Sequence, residues 1–197
     1  GTRGSVKQRE IEARKASEIL GIDTRENLGI RDGNIINNHT NRLKIIKVIR
    51  KYRPKIIFFP HYYDRHPDHY NTHYLIKEAA FYSGLEKIKT PGLKAYRAKR
   101  NIYYMQTYSF EPNIIFDISE TFKTKMEAVK CFSTQFFSGS TKSKKVAETF
   151  ISTKAFMDYI EARSKFYGFR IGTAYGEAYF AEENIKINSD TLFKITG

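Results

Sequence analysis

The sequence predicts an α/β layer fold with a mainly parallel sheet and helices on both faces. Three observations point there. Residues 55–59, "KIIFF", are a short, continuously apolar run of the kind found in strands buried on both faces. Segments of helical periodicity flank it, at 40–52 and from Thr72 to Ala80. Two further strand-like runs, "NIYYMQT" (101–107) and "NIIFDIS" (113–119), lead into another helical pattern.

Taken in order, Val6 to Leu20 is charged and helix-forming, with Ile11, Ala16, Ile19 and Leu20 as the expected buried edge and Gly21 as the stop. "RENLGIRDG" (25–33) reads as a short strand or extended piece that turns at Asp32-Gly33. In "TNRLKIIKVIRKY" (40–52), Ile45, Val48, Ile49 and Tyr52 recur at i, i+3, i+4 and i+7, the apolar stripe of an amphipathic helix. Pro54 punctuates before the 55–59 strand. Thr72, Leu75, Ile76, Ala79 and Ala80 repeat at helical spacing until Gly84, and Pro112 marks the turn between the next two strands. Phe122, Met126 and Val129 mark a helix, 138–145 is a polar loop, and 153–167 is a last helix. The tail "GTAYGEAYF" (172–180) is expected to lie across a surface. No repeat or linker divides the chain, so a single domain over 1–197 is expected.

Composition narrows the function classes. With 41% hydrophobic and 15% aromatic residues, the chain can build a core and is not a disordered segment. No apolar run has the length of a membrane span and no signal peptide is visible, so no membrane partner is expected. The single cysteine, Cys131, cannot form an internal disulfide, and a cytoplasmic home is the simplest reading. The net charge of +13 invites a nucleic-acid partner. Lys and Arg are nevertheless spread along the polar helix faces rather than gathered in a stripe, so no nucleic-acid partner is expected. A basic binding module stands as the rival class; it requires a contiguous basic face and strongly salt-dependent binding.

The chemistry concentrates in "HYYDRHPDH" (61–69), between the apolar strand and the following helix. Ligands of parallel α/β sheets bind beyond the carboxyl ends of the strands, which is where this stretch falls. Pro67 biases His66 away from helical backbone, so the helix begins here and Asp68 and His69 fall in its first turn. A neutral histidine there can ligate a metal, a nearby aspartate can orient an imidazole, and Arg65 can fork onto a carboxylate or phosphate. The bland alternative has Asp68 capping the helix and the histidines on a wet loop. His69 and His73 sit four apart, as in the zinc helix of metalloproteases, but Tyr70 stands where that motif needs its glutamate. His61 reads as a strand-end surface residue outside the chemistry.

"RHPDH" behind an apolar strand resembles the second motif of the LmbE-like, or PIG-L, zinc-dependent de-N-acetylases. "GTRGSVKQREIEARKASEILGI", "RENLGIRDG", "VIRKYRPKIIFFP", "KMEAVKCFSTQFFSG" and "IEARSKFYGFRIGTAYGEAYF" are similar, in order, to the bacillithiol-biosynthesis branch of that family. The resemblance implies a Rossmann-like, LmbE-like fold and hydrolysis of the acetamide of N-acetylglucosaminyl L-malate. It implies one zinc ion with His69 as a ligand, His66 as the protonated histidine stabilising the oxyanion, and Asp68 orienting His66. It implies Arg9 and Asp32 as sugar contacts, with Arg65 able to meet the malate carboxylates. A homo-oligomer is expected on the same ground. The family's first strand, which ends in a His-Pro-Asp-Asp motif supplying two further zinc ligands and the base, has no counterpart here. The expectation is an amino-terminally truncated domain whose remaining ligands belong to that missing segment, inactive alone and prone to aggregate.

Overall fold

The computed structural model describes residues 3–137 and 149–189; the polar loop expected at 138–145 lies outside them. In chain order the elements are α1 (Val6–Ile19), α2 (His39–Tyr52), β1 (Ile56–Pro60), α3 (Pro67–Ser83), β2 (Arg100–Tyr104), β3 (Ile114–Asp117), α4 (Phe122–Lys130), a 3₁₀ turn (Phe150–Ser152), α5 (Lys154–Arg170) and β4 (Gly176–Phe180). The fold is α/β, as the alternation of periods predicts. The strands run in the order β1-β2-β4-β3. β1 and β2 are parallel, with Ile56 opposite Arg100 and Pro60 opposite Tyr104, and β4 is antiparallel to β2 through Tyr103–Phe180 and Tyr104–Tyr179. The "GTAYGEAYF" tail therefore contributes an inner strand rather than a surface covering: Gly176–Phe180 alternates inward and outward residues and takes up ladder bonds.

Two compact units make up the chain: Gly1–Asn34 with Ile115–Ala178, and Ile35–Ile114 with Tyr179–Gly197. In the first, α1 opens with a capping box, Ser5 accepting the Gln8 N–H while the Gln8 side chain accepts the Ser5 N–H. The buried edge of α1 is Glu12, Ala13 and Ala16; Ile11, Ile19 and Leu20, expected inside, are exposed. The reason is the Glu12 carboxylate, which accepts Ser133 Oγ (3.1 Å), Thr134 N (2.8 Å) and Thr134 Oγ1 (2.7 Å) and so turns that face inward. Gly168 of α5 sits so close to Tyr175 that an added Cβ would lie 2.7 Å from the Tyr175 nitrogen, which only glycine permits.

The second unit packs α2 and α3 together, with α3 also against β1, around Ile46, Ile49, Phe59, Leu75, Ala79, Ile102 and Tyr103. The stripe expected on α2 is rotated: Ile46, Ile49 and Arg50 are buried, whereas Tyr52 is exposed. Arg50 fixes that rotation. Only 3% exposed, its guanidinium donates to Ser83 O (3.0 Å), Ile88 O (2.7 Å), Thr90 Oγ1 (2.6 Å) and Leu85 O (2.8 Å), tying α2 to the chain beyond α3. β1 is not buried on both faces. It lies at the end of the strand order, and Ile56 and Phe58 are exposed (Phe58 by 46%) while Phe59 is buried. An apolar run alone does not distinguish a central strand from an edge strand with one covered face.

Candidate active site

The segment after β1 turns into α3 through a set of side-chain caps. His66 holds extended backbone (φ −94°, ψ 125°) and is the N-cap of α3, with Pro67 at the first helical position. His66 Nδ1 accepts the Asp68 N–H at 3.1 Å, so the cap belongs to His66, not to Asp68. Nδ1 is thereby occupied as an acceptor and the ring proton resides on Nε2. Asp68 meets His66 through this backbone N–H; its own carboxylate is buried and accepts Ile35 N–H at 3.3 Å.

Asp64, which the sequence reading passed over, is the centre of the cluster. Its side chain is 3% exposed. Oδ1 accepts His66 N–H (3.1 Å) and the His69 ring at Nδ1 (2.7 Å); Oδ2 accepts Thr107 N–H (2.8 Å) and Tyr108 N–H (3.3 Å). Burial pushes this carboxyl up, but the Thr107 and His66 N–H groups and the His69 ring pull harder, and its pKa lies below the usual carboxylate value. An ionised carboxylate only accepts, so the His69 ring donates from Nδ1 and its Nε2 is the nitrogen not engaged by Asp64. The His69 side chain is 32% exposed, and its ring stacks on that of His66 at 4.9 Å.

The other histidines do different work. His73 is fully buried, donates Nδ1–H to Pro60 O (2.8 Å), and lies among Phe59, Tyr62, Tyr74 and Tyr103. His61 is buried rather than a surface residue: its Nδ1 accepts Tyr63 N–H, and Tyr62 and Phe110 each stack on its ring at 4.1 Å. Burial holds both rings below the usual histidine pKa.

Arg65, His66, Asp68 and His69 are thus brought together in one loop and helix start, with Arg65 exposed. Arg9, half-buried on α1, and Asp32, exposed in the turn at Asp32-Gly33, belong to the other compact unit. That unit also holds Arg3, a buried guanidinium whose Nε and Nη1 have no hydrogen-bond partner among the described residues. The donor chemistry at His69 suits zinc as a single ligand, an imidazole lone pair backed by a carboxylate. Among the described residues, no group of three His, Cys, Asp or Glu could hold a metal ion. Asp64 has one signal in the sequence: a carboxylate five residues before His69, on the strand side of the same turn.

Residues 2–80 match the PIG-L family model, described as GlcNAc-PI de-N-acetylase. Diacetylchitobiose deacetylase of Thermococcus kodakarensis is 32% identical over 129 residues, which is 64% of this chain and 48% of that protein. The chain spans about half the length of this curated relative. The crystal structure of the conserved protein TT1542 from Thermus thermophilus superposes with a TM-score of 0.83 at 28% identity, covering 96% of this chain and 79% of the other. N,N'-diacetylchitobiose deacetylase from Pyrococcus horikoshii, complexed with its inhibitor MPG, gives a TM-score of 0.74 at 25% identity, covering 93% and 68%. GalB, the 4-carboxy-2-hydroxymuconate hydratase from Pseudomonas putida, gives 0.72 at 19% identity over 92% and 74%, a likeness of fold alone. These comparisons show a likeness to the PIG-L family over residues 2–80 and to the deacetylases over part of their length, and an α/β fold shared with the solved structures.

Proposed function

We propose that this chain carries part of the site of a zinc-dependent de-N-acetylase, acting on N-acetylglucosaminyl L-malate in bacillithiol biosynthesis to give glucosaminyl malate and acetate. The observation that supports it most is the Asp64–His69 bond of 2.7 Å, which engages His69 Nδ1 and leaves Nε2 as the nitrogen for a ligand, with the ring stacked on that of His66. The reaction class rests on the deacetylase relatives; the malate conjugate rests on the sequence resemblance and on the exposed Arg65 next to the histidines.

In this reading His69 is a metal ligand through Nε2. The chemistry a bound zinc ion supplies is Lewis acidity toward the amide carbonyl and an activated water. A zinc ion would need ligands beyond His69, since among the described residues no group of three His, Cys, Asp or Glu could hold one. His66 offers Nε2–H to the oxyanion that forms when water adds to the acetamide carbon. Asp68, through its N–H, and Pro67 hold that ring in place. Arg65 meets a malate carboxylate in a forked pair, and Arg9 and Asp32 contact the sugar. The C–N bond then breaks, the acyl group leaves as acetate carrying the oxygen of the added water, and the departing amine takes the proton that this water gave up. A cytoplasmic homo-oligomer is part of the same proposal.

A second substrate reading, a chito-oligosaccharide acetamide, is favoured by what the relatives from T. kodakarensis and P. horikoshii act on. Assay of the protein loaded with zinc distinguishes the two. The proposal expects equimolar acetate and free amine from N-acetylglucosaminyl malate, with higher kcat/KM than for diacetylchitobiose. Preference for diacetylchitobiose overturns the malate assignment. Bound zinc with no acetate from either overturns the enzyme.

A further inference from the structure

We propose that the cavity at the amino-terminal end of β1 and β2 binds a small molecule bearing a diphosphate group, held by Arg53, Lys89 and Lys94. The proposal is independent of the function given to the turn that carries His66 and His69.

The chain is strongly basic where it enters these two strands. "RKYRPK" (50–55) leads into β1 and "EKIKTPGLKAYRAKR" (86–100) into β2, with Glu86 the one acidic residue in either stretch. β1 and β2 are parallel, so both stretches enter at the same end of the sheet, and the Lys99 N–H donates to Lys55 O at 2.8 Å to join them. The turn with His66 and His69 follows the other end of β1. The two basic stretches line a cavity of about 540 Å³, with Arg50, Arg53, Glu86, Lys89, Thr90 and Lys94 in its wall. Small-molecule sites span roughly 300–1,000 Å³.

The cations of this wall do different things. Arg50 is spent on Ser83 O, Leu85 O, Ile88 O and Thr90 Oγ1, and so offsets carbonyl dipoles beyond α3 that would repel an anion. Arg53, Lys89 and Lys94 are exposed, and their charged groups make no hydrogen bond or ion pair among the described residues. The Arg53 guanidinium lies over the Tyr96 ring, 4.4 Å from its centroid, and the Tyr96 hydroxyl donates to Pro54 O at 2.9 Å. Stacking engages the face of the guanidinium and leaves its N–H edge for an acceptor. Arg53 is also the only non-glycine residue with positive φ (49°) among the described residues. It caps α2 in left-handed backbone, a position that suits glycine, and strain of this kind clusters at ligand sites. Against these three cations stands the single Glu86 carboxylate, so the wall keeps a net positive charge. A diphosphate offers paired oxygens to the Arg53 fork and further oxygens to two ammonium groups. Cations that line one cavity suit a compact polyanion over an extended strand.

The test is titration of the protein with inorganic pyrophosphate, followed by calorimetry and by amide shifts. Saturable binding is expected, with shifts at Arg53, Lys89 and Lys94. Arg53→Gly suits the left-handed backbone better than arginine, so it should unfold in urea like the wild type while weakening binding by about 10-fold. Lys89→Gln combined with Lys94→Gln should weaken it at least as much, from exposed positions that do not put folding at risk. Lys123→Gln, the same charge change on α4, should leave binding unchanged. ADP is titrated beside pyrophosphate: tighter ADP identifies a nucleotide as the source of the group, and ADP no tighter identifies the diphosphate alone, and either upholds the site. No saturation with either probe overturns the proposal. So does binding that the cavity variants leave intact, or that Lys123→Gln weakens equally. A single-stranded oligonucleotide that binds where pyrophosphate does not overturns it in favour of an extended nucleic-acid surface.

Discussion

His66 caps α3, and the proposed function gives it a second role that substitution separates from the first. As N-cap it accepts the Asp68 N–H at 3.1 Å; as the proposed oxyanion donor it would offer Nε2–H. His66→Ala removes both. Loss of a cap costs about 1 kcal/mol, within a range of about 0.5–2 kcal/mol. His66→Asn restores a strong cap through its side-chain oxygen but has no imidazole, so stability should return to within about 0.5 kcal/mol of the wild type. Loss of an oxyanion donor costs about 10²–10³ in kcat, equivalent to about 2.7–4 kcal/mol in the transition state. The pair of assays is urea unfolding and acetate release by the zinc-loaded protein. His66→Asn is expected to unfold like the wild type and to turn over about 10²–10³ more slowly. An Asn variant with wild-type kcat would reduce His66 to a helix cap and refute the reasoning.

Arg50→Met removes the donors from three carbonyls and the Thr90 hydroxyl in a buried setting, and should lower the urea-derived stability by about 3–5 kcal/mol; a loss below about 1 kcal/mol would contradict the role given to Arg50. His61 and His73 are held below the ordinary histidine pKa by burial, so the unfolded chain binds more protons than the folded one in this range. Stability contributed by the neutral rings is fully present above the unfolded value near 6.5 and falls as pH drops toward the folded values, by at most about 1.4 kcal/mol per pH unit for each ring. Urea midpoints at pH 8 and pH 5.5 check this, and a midpoint that rises on acidification would reverse the sign. Phe58 is exposed on β1 beside Ile56; Phe58→Lys should suppress concentration-dependent light scattering, and unchanged scattering would clear this surface of a role in self-association.

The α/β class and the positions of the five helices were legible because period and punctuation are local: Gly21, Pro54, Gly84 and Thr153 bound segments whose apolar spacing is regular. Which face turns inward was not. On α1 and α2 the buried edge is decided by Glu12 and Arg50, polar residues whose partners are Ser133, Thr134, Ser83 and Ile88, distant in sequence. Hydrophobicity has no means of anticipating a carboxylate or guanidinium that enters the core to be fully bonded. The same holds for β4, whose Gly-rich composition suggests a loop until β2 provides a ladder.

At the site, the sequence placed the histidines on a strand-end turn because Pro67 sets the helix start. It did not place Asp64, because that residue acts through Thr107 and Tyr108, more than forty positions away. The bland alternative gave the cap to Asp68, the commoner residue for that duty, whereas an imidazole nitrogen serves. His61 looked like a surface residue because the stacking partner that buries it, Phe110, arrives from beyond β2.

The most direct test is stoichiometric: N-acetylglucosaminyl malate incubated with the zinc-loaded protein, with acetate and free amine measured together. One acetate per amine, lost in His69→Ala, is the predicted result. An intact acetamide in the presence of bound zinc would contradict the account.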